Sequence, residues 1–431
     1  MEEAAAGGVK PAWSDHCPWT GVMGEVLFLA HRIPFPADRG DKIRSSQLLK
    51  ALSKIGPVHV GTLGETEADF AAEPQLARYA ASYCLARRSL NLPLAGMKAL
   101  VRGLPVSLTA FDNSELRAWV AHTLATRPVD CIFVFSGQMG QYIPADYSGR
   151  VVIDLCDVDS AKFEAYAHDG RGPRAWIDAR EGRLLAVEER RLAQRADATL
   201  LITDAEANLF RARIGDVEAN VMTVSNGIDT DLFDPKASRP HPALIGGNGP
   251  HIVFTGQMDY PPNVAAALRT IDRLLPGIRR GFPSATFHVV GRAPVPALTQ
   301  RDGEPGVRVW GEVPDVRPFL AGADLAIAPL SIARGVQNKV LEAMAMARPV
   351  LVTPEAATGI DAIDGEHIAI EPNDGRLIDR ACTLLTDGPA AQRMATAARN
   401  FVVEHKGWDA AMAPLADLIG RSGISETRDA A

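Results

Sequence analysis

The sequence predicts an α/β fold of two tandem, Rossmann-like, doubly wound domains with a cleft between them. Short apolar runs alternate with helical patterns from about Glu25 onward, as is typical of parallel strands joined by crossover helices. Residues 229–250 interrupt this alternation with Asp-Pro, Arg-Pro, His-Pro and Gly-Gly-Asn-Gly, and the alternation then starts again. The length of 431 residues also exceeds one ordinary core, because a domain commonly holds about 150 residues.

Each predicted strand is a short apolar run bounded by turn residues or charges. In the first half the runs are Glu25 to Ala30, Val58 to Leu63, Tyr83 to Ala86, Cys131 to Phe135, Val151 to Leu155, Thr199 to Thr203 and Val221 to Val224. In the second half they are Ile252 to Thr255, Thr286 to Val290, Val307 to Trp310, Leu325 to Ala328, Val350 to Thr353 and Ile368 to Ile370. The predicted helices include Lys42 to Lys54, Asn113 to Ala125, Ala175 to Arg195 and Trp408 to Ile419.

The pattern divides the chain into four segments. Residues 1–24 are rich in alanine and glycine and predict a flexible N-terminal segment, whereas 25–235 and 236–405 predict the two domains. Residues 406–431 hold the last helix and a tail. We expect residues 229–250 to form the interdomain linker, because proline and glycine are concentrated there.

The amino-acid composition limits the classes of protein to which this chain can belong. An apolar content of 47% and a charged content of 23% are typical of a globular protein, and the net charge of −7 argues against a nucleic-acid partner. The first 24 residues lack the basic start and apolar stretch of a signal peptide, and no run reaches the roughly 18 apolar residues of a membrane span. We therefore expect a cytoplasmic protein, with peripheral contact at the inner face of the cytoplasmic membrane left open. The cysteines show no metal-ligand or redox spacing and are interpreted as reduced thiols: Cys17, Cys84, Cys131, Cys156 and Cys382.

The most informative segment spans residues 333–350, where a loop with a cation leads into a helix with a polar first turn and a carboxylate, Glu342. Free N–H groups and the positive end of a helix dipole suit a phosphate-bearing ligand. If the helix reaches back to Arg334, then Arg334, Asn338 and Glu342 share one face, because they are four residues apart. The alternative is an ordinary amphipathic helix with an exposed Lys339/Glu342 pair. The residues expected to face the ligand are Gly335, Val336, Gln337 and Asn338.

The loop after the first strand contains no Gly-x-Gly-x-x-Gly, so the dinucleotide fingerprint is absent. Gly40 stands at the predicted helix start, where it either lets a ligand approach the backbone or forms a simple turn capped by Asp41. A surplus of cations in this loop favours an anionic ligand: Arg32, Arg39, Lys42 and Arg44.

The loop after Val151 to Leu155 begins with Cys156 and carries Asp157 and Asp159. Either carboxylate can accept a proton from a hydroxyl or hydrogen-bond sugar hydroxyls. Asp159 or Ser160 can instead cap the following helix. A divalent metal is a further alternative, although no third acidic ligand is near in sequence.

In the second half, the loop after Ile252 to Thr255 holds Gly256 and Gln257, which we expect to contact a ligand. Arg292 follows another strand and is either a ligand cation or a surface residue. Trp310 either contacts a ligand or belongs to the core. Gly359 either lies close to a ligand or forms a turn.

These motifs resemble those of retaining GT-B glycosyltransferases of the family-four group. The run Leu341-Glu342-Ala343-Met344-Ala345 matches the second half of the family's Glu-x7-Glu motif, whereas Arg334 stands where the first Glu is expected. Cys156-Asp157 stands in place of a common His-Asp, and Gln257 and Asn263 stand near the places of the usual Arg/Lys pair. The segment from Asn226 to Phe233 resembles another family signature. The subgroup associated with exosortase/PEP-CTERM loci is the closest form, on residues 36–44, 256–260 and 338–342.

The resemblance implies transfer of a hexose from a nucleoside diphosphate sugar, of UDP or GDP type, to a lipid-linked or free saccharide in exopolysaccharide biosynthesis. It also implies that the transfer retains the anomeric configuration and requires neither a metal nor another cofactor. The first domain would bind the acceptor and the second the nucleotide sugar, with the last helix packing back on the first. Arg334 and Lys339 become candidate replacements for the missing cations. A nucleotide-sugar epimerase on the same fold and a catalytically silent nucleotide-sugar-binding scaffold are the alternatives.

The residues are assigned accordingly. The catalytic candidates are Asp157, Arg334 and Lys339. The donor-binding candidates are Gly40, Gly256, Gln257, Arg292, Trp310, Gly335, Val336, Gln337, Asn338 and Glu342. The acceptor-binding candidates are Arg39, Asp41 and Asp159.

Overall fold

The computed structural model describes residues 24–88, 92–245, 249–333 and 335–421, with the side chains of residues 92–95 and 169 excepted. The chain divides into two compact units. The first comprises the chain up to Asn226 and from Met412 onward, and the second comprises Gly227–Ala411.

The described part of the first unit contains a parallel sheet of seven strands in the order β3-β2-β1-β4-β5-β6-β7. The strands are β1 Glu25–Ala30, β2 Val58–Gly64, β3 Ser82–Arg87, β4 Val129–Phe135, β5 Arg150–Cys156, β6 Ala198–Leu201 and β7 Val221–Thr223. The helices are α1 Gly40–Ile55, α2 Glu67–Ala71, α3 Glu73–Ala77, α4 Leu92–Arg102, α5 Val106–Ala110, α6 Ser114–Thr126, α7 Asp159–Asp169, α8 Pro173–Arg195 and α9 Asp204–Ile214. Strand β1 is buried along its whole length, as its unbroken apolar run requires in a sheet covered on both faces.

The described part of the second unit repeats this design with a six-stranded parallel sheet in the order β10-β9-β8-β11-β12-β13. Its strands are β8 His251–Thr255, β9 Thr286–Val290, β10 Val307–Gly311, β11 Leu325–Ala328, β12 Val350–Val352 and β13 Ala369–Ile370. The helices are α10 Pro261–Arg269, which continues into a π-helical turn, α11 Leu275–Gly281, α12 Pro296–Thr299, α13 Arg317–Ala321, α14 Asn338–Ala345, α15 Pro354–Ala357, α16 Asp374–Thr386 and α17 Gly388–His405. In both sheets the order reverses beside the first strand, which is where doubly wound folds open a crevice for ligands.

The units meet in sequence at 226/227, nine residues before the predicted boundary. The segment after Gly227 packs on its own unit, since the N–H of Ile228 donates to the carbonyl of Lys406 at 2.8 Å. The Arg399 guanidinium donates to the carbonyls of Thr230 and Phe233 at 2.9 and 2.8 Å. Leu244 is buried in the core of the second unit. Residues 229–245 are therefore part of the second unit, and the expectation of a linker there is wrong.

The predicted C-terminal helix from Trp408 to Ile419 consists of two short helices, α18 Trp408–Met412 and α19 Leu415–Leu418. Pro414 separates them, because proline lacks the N–H that would continue the helical hydrogen bonds. Helix α19 belongs to the first unit. There Arg150 donates to the carbonyl of Leu418 at 3.1 Å, and Arg421 is paired with Asp130 at the same distance.

Each helix in the described part of the chain is too short or too polar to cross a lipid bilayer.

Candidate functional site

A cavity of about 490 Å³ opens in the second unit beside the carboxyl ends of β8, β9 and β10 and the start of α14. A crevice at strand carboxyl ends is the usual ligand position in doubly wound folds. The lining residues are Thr255, Gly256, Gln257, Asn263, Gly291, Arg292, Glu312, Val313, Val316, Val336, Gln337, Asn338, Lys339 and Glu342.

Two glycines shape the floor of the cavity. Gly256 and Gly291 follow β8 and β9 with φ of +155° and +151°, which side-chain-bearing residues rarely adopt. A Cβ on Gly291 would lie 1.6 Å from the carbonyl oxygen of Gly256. Glycine at 291 is therefore required for the two strand ends to meet as they do.

Lys339 supplies a cation at the cavity wall. Its Nζ donates to Oδ1 of the buried Asn263 at 2.6 Å, and it lies 5.3 Å from the centre of the Phe254 ring. The Asn263 amide is oriented by a hydrogen bond from its Nδ2 to the carbonyl of Gln257 at 2.9 Å. Burial lowers the pKa of Lys339 to about 8, against the opposing effect of the Glu342 charge. No described carboxylate lies within salt-bridge distance of this ammonium, so its charge is available to an anionic ligand.

Glu342 lies one turn further along α14 and is partly buried. Burial raises the pKa of its carboxyl to about 6, although the Lys339 charge opposes the shift. Among the described residues, its carboxylate has no hydrogen-bond or salt-bridge partner. The predicted alternative of an exposed Lys339/Glu342 surface pair is therefore wrong, because both groups face the cavity and are desolvated.

Helix α14 begins at Asn338, so it does not reach back to Arg334, which lies outside the described residues. The condition for a shared helical face, a helix that includes position 334, is therefore not met, and Asn338 and Glu342 alone belong to α14. Gly335 has a φ of +67°, which interrupts a right-handed helix, and Gln337 is the N-cap without a side-chain cap hydrogen bond. Asn338 and Lys339, the first two residues of α14, line the cavity, and an α-helix offers the N–H groups of such residues no carbonyl four positions earlier within the helix.

Gln257 and Arg292 line the same cavity, as expected of donor-site residues. Nη2 of Arg292 donates to Oε1 of Gln257 at 2.9 Å, so an amide takes the place where a carboxylate would have neutralised the cation. Gly359 has a φ of +77°, and a Cβ there would lie 3.2 Å from Val336. The turn at Gly359 therefore lies next to Val336, in the loop that precedes α14.

Trp310 does not line the cavity. Its indole Nε1 donates to Nδ1 of His288 at 3.1 Å, and its ring packs against His241 and Phe319 with centroids 4.9 and 5.0 Å away. Its assignment as a donor-binding residue is wrong, because strand alternation directs it into this aromatic cluster. Residues just beyond the strand face the cavity instead, and the site assignment missed them: Glu312, Val313 and Val316.

In the first unit, the cations of the β1–α1 loop and of the start of α1 are each paired with a carboxylate. Lys42 contacts Asp69 at 2.6 Å, and Arg44 contacts Asp154 at 2.8 Å in a pair that is at most 2% exposed. The remaining pairs are Arg32 with Glu65 and Asp41, and Arg39 with Asp41. The surplus of cations therefore no longer favours an anionic ligand at this place, since carboxylates already neutralise these charges.

Asp41 is not the helix cap. The N-cap position of α1 is Arg39, without a side-chain cap hydrogen bond, and Asp41 lies inside the first turn. Although burial alone would raise the pKa of Asp41, hydrogen bonds from His31 and Arg39 hold it well below its usual range. The space beside Gly40 is open, with no atom within 4 Å of a Cβ placed there.

His31, which the site assignment missed, lies at the end of β1 and is buried. Nε2 lies 2.9 Å from Nη1 of Arg32 and 3.3 Å from Oδ2 of Asp41, and the ring stacks on Phe135 with centroids 5.7 Å apart. The other ring nitrogen is Nδ1. That nitrogen has no hydrogen-bond partner among the described residues. Burial lowers the pKa of His31, while Asp41 and Asp159 oppose the shift.

Asp157 and Asp159 both approach Lys162, at 2.7 and 3.3 Å from its Nζ. The N-cap of α7 is Val158 and makes no side-chain cap bond, so the capping alternative for Asp159 is wrong. Ser160 is not a cap either, since its Oγ contacts the buried Glu189 at 2.5 Å. Within the described residues, no group of three or more His, Cys, Asp or Glu side chains is arranged to hold a metal ion.

Part of the chain, including the whole cavity, is similar to known proteins. Residues 249–387 match the family described as Glycosyl transferases group 1, and this segment contains every lining residue of the cavity. The chain is 27% identical over 312 residues to D-inositol 3-phosphate glycosyltransferase of Mycobacterium tuberculosis and Mycobacterium bovis. That match covers 70% of this chain and 62% of the relative, so it spans less than two thirds of the relative's length.

Solved structures extend the likeness to both units. HepE of Anabaena in complex with UDP-glucose aligns with a TM-score of 0.53 at 15% identity, over 91% of this chain and 98% of that one. Sucrose-phosphate synthase from Thermosynechococcus elongatus aligns with a TM-score of 0.56 at 15% identity, over 92% and 98% of the two chains. At these identities the likeness shows the fold alone. It confirms the predicted GT-B fold class of two tandem Rossmann-like domains.

Proposed function

We propose that this chain transfers a hexose from a nucleoside diphosphate sugar to a saccharide acceptor. One observation carries the proposal: the cavity that combines Lys339, Glu342 and the start of α14 lies wholly within the segment that matches group 1 glycosyl transferases. The relatives' names point the same way, since one is a glycosyltransferase and HepE is in complex with UDP-glucose.

The donor diphosphate is proposed to lie against the first turn of α14. As the anomeric C–O bond stretches, negative charge grows on the leaving diphosphate. That charge is stabilised by Lys339, Arg292 and the backbone N–H of Asn338, because these groups are fixed before the reaction and partly removed from water. Arg334 is proposed as a further cation on the strength of the sequence.

The remainder of the nucleotide is proposed to occupy the rest of the cavity. Glu342, ionised at neutral pH, accepts hydrogen bonds from ribose hydroxyls. Val313 and Val316 provide an apolar wall for a base, which is uracil or guanine. The carboxylate is costly to bury without partners, and hydroxyl donors would offset that cost.

The acceptor is proposed to bind at the strand ends of the first unit, beside Arg39, Asp41, Asp157 and Asp159. A lipid-linked saccharide of exopolysaccharide biosynthesis, as in the exosortase/PEP-CTERM-associated subgroup, is the proposed acceptor. Asp157 is proposed to accept the hydroxyl proton after its contact with Lys162 opens. Retention, and independence of metals and other cofactors, complete the proposal.

A donor panel tests the proposal. Calorimetry of the purified chain with UDP, GDP and their hexose conjugates should give one preferred nucleotide. The Lys339→Met variant should lose that binding, and Lys236→Met, at an exposed position of the same unit, is the matched control. Release of nucleoside diphosphate only when a saccharide acceptor is present would support transfer. Interconversion of the donor without acceptor would instead indicate an epimerase, and binding without either reaction a silent scaffold.

The stereochemistry and metal requirement are tested on the same reaction. The anomeric proton coupling of the first-formed product should match the configuration of the donor. Activity should persist in EDTA. An inverted product or an EDTA-sensitive reaction would overturn that part of the proposal.

A further inference from the structure

Helix α4 of the first unit turns an apolar stripe toward solvent. Val101 is 88% exposed, and Met97, Leu100 and Leu104 are also exposed. Met97, Leu100 and Val101 recur at i, i+3 and i+4, so they lie on one side of α4, and Leu104 follows two residues after the helix ends at Arg102. Ala99, in contrast, is fully buried. Among the described side chains of α4, the large apolar ones therefore face solvent, against the usual pattern of a globular protein.

A second apolar group lies at the tip of the α7–α8 hairpin. Trp176 is 58% exposed, and Tyr166 and Ile177 are exposed beside it along the two helices. One turn after Trp176, the Arg180 guanidinium donates to the carbonyls of Leu104 and Ala99, both at 3.1 Å. The two groups are therefore neighbours, and together they form what we call the α4/α8 face: Met97, Leu100, Val101, Leu104, Tyr166, Trp176 and Ile177.

The charges around this face are positive, although the chain as a whole carries −7. Segment 171–183 holds four arginines and two acids, and both acids, Asp178 and Glu181, are buried. The Glu181 carboxylate also accepts hydrogen bonds from the N–H groups of Val106 and Ser107, both at 2.8 Å. The exposed cations of this region are Arg102, Arg171, Arg174 and Arg183. Arg102 lies 3.6 Å from a carboxylate oxygen of Asp112, and Arg174 lies 4.0 Å from one of Asp178. Among the described residues, Arg171 and Arg183 have no carboxylate within salt-bridge distance.

An exposed apolar face with a cationic surround fits an anionic lipid surface. Apolar side chains enter the boundary between headgroups and acyl chains, tryptophan and tyrosine favour that boundary, and arginines attract anionic headgroups. A second copy of this chain fits poorly, because a twofold contact through this face would bring its arginines toward each other. An apolar protein partner would leave the arginines without counter-charges.

We propose that the α4/α8 face docks the protein on the surface of an anionic bilayer, with α4 lying in the plane of the headgroups. This inference deepens the proposed function, because it would hold the enzyme where a lipid-linked acceptor is presented. It rests on the proposed function only for that purpose, since the docking itself needs neither donor nor acceptor.

Vesicle cosedimentation of the full chain tests the docking. Wild-type protein should sediment with vesicles of phosphatidylcholine mixed with phosphatidylglycerol and much less with phosphatidylcholine alone. Added salt should weaken the binding, since it screens the arginines. The double variant Leu100→Gln/Val101→Gln should bind at least about tenfold more weakly, because two side chains no longer enter the apolar boundary. Arg174→Gln should lower binding to the anionic vesicles by a few-fold.

Val187→Gln is the matched control, because Val187 is an equally exposed apolar residue further along α8. The control should bind as wild type, and all variants should keep the wild-type melting temperature. Transfer to a water-soluble acceptor should also be unchanged in Leu100→Gln/Val101→Gln, so loss of docking is separable from loss of activity. Wild-type protein that ignores anionic vesicles, or a double variant that binds as wild type, would overturn the proposal. A wild-type dimer that Leu100→Gln/Val101→Gln dissociates would overturn it in favour of a second copy.

Discussion

The region after β1 in the first unit and the cavity beside β8 and α14 in the second unit occupy equivalent places in two similar sheets. The cations in these two regions nevertheless have different partners. In the first unit, each cation of the loop and of the start of α1 contacts a carboxylate, as Arg44 of α1 does with the fully buried Asp154. In the second unit, Lys339 meets the neutral amide of Asn263, and Arg292 meets the amide of Gln257. The number of cations therefore does not locate an anion site. The site is where the partners of those cations are neutral.

This difference has an energetic meaning. A carboxylate partner stabilises a buried guanidinium, whereas an amide partner leaves part of the desolvation cost uncompensated. Desolvation lowers the pKa of Lys339 to about 8 and raises that of Glu342 to about 6, because in each case it disfavours the charged form. Paired titratable groups whose pKa values are shifted toward each other in a cavity are typical of functional sites.

The largest effect is expected from breaking the first-unit network. Asp154→Ala leaves the Arg44 guanidinium buried without its counter-charge, and it should lower the free energy of unfolding by about 3–5 kcal/mol. Chemical denaturation measures this loss. The same residue change at Asp38, whose side chain is 59% exposed, is the control and should cost little. A loss below about 1 kcal/mol at Asp154 would mean that the pair is not structural.

Nucleoside diphosphate binding should depend on pH through Lys339. Its pKa of about 8 means that the ammonium is charged at pH 7 and neutral above pH 9. A bound diphosphate favours the charged form, so affinity should be steady near pH 7 and fall about tenfold or more as pH rises past 8. Lys339→Met should abolish this alkaline fall. An unchanged fall in the variant would assign the titration to another group.

Glu342→Gln should make the protein more stable at neutral pH. The folded-state pKa of about 6 lies above the ordinary value of 4.5, so the folded protein holds the proton more tightly, and stability falls as pH rises from 4.5 to 6. Glutamine avoids that loss, and the gain should be about 1–2 kcal/mol at pH 7.5 and vanish near pH 4. Thermal unfolding across this range measures it, with Glu355→Gln at an exposed position as control. A destabilised variant at pH 7.5 would show that the carboxylate has a structural partner.

Much of the fold could be predicted from the sequence, because apolar runs of strand length are readable locally. β1, β9 and β11 begin and end at the predicted residues, and α8 starts two residues earlier than expected. The sequence left open whether α14 reaches back to Arg334, because the positive φ of Gly335 depends on the loop around it. Arg44 and Asp154 are 110 residues apart, so their pairing leaves no local pattern.

The candidate site was predicted in part for the same reason. The α14 motif identified Asn338, Lys339 and Glu342, since these residues are close in sequence. Asn263 and Glu312 reach the cavity only through the packing of the sheet. His31 carried no signal beyond its place at a strand end, where one histidine is unremarkable in a sequence.

The central claim is that the second unit, through Lys339, holds the diphosphate, whereas the paired cations of the first unit do not. Isothermal titration with the preferred nucleoside diphosphate should show about ten- to hundredfold weaker binding for Lys339→Met, because one charge-assisted contact is lost. Arg39→Gln should bind within about twofold of wild type, since Arg39 is already paired with Asp41. Weaker binding in Arg39→Gln together with wild-type affinity in Lys339→Met would contradict the account.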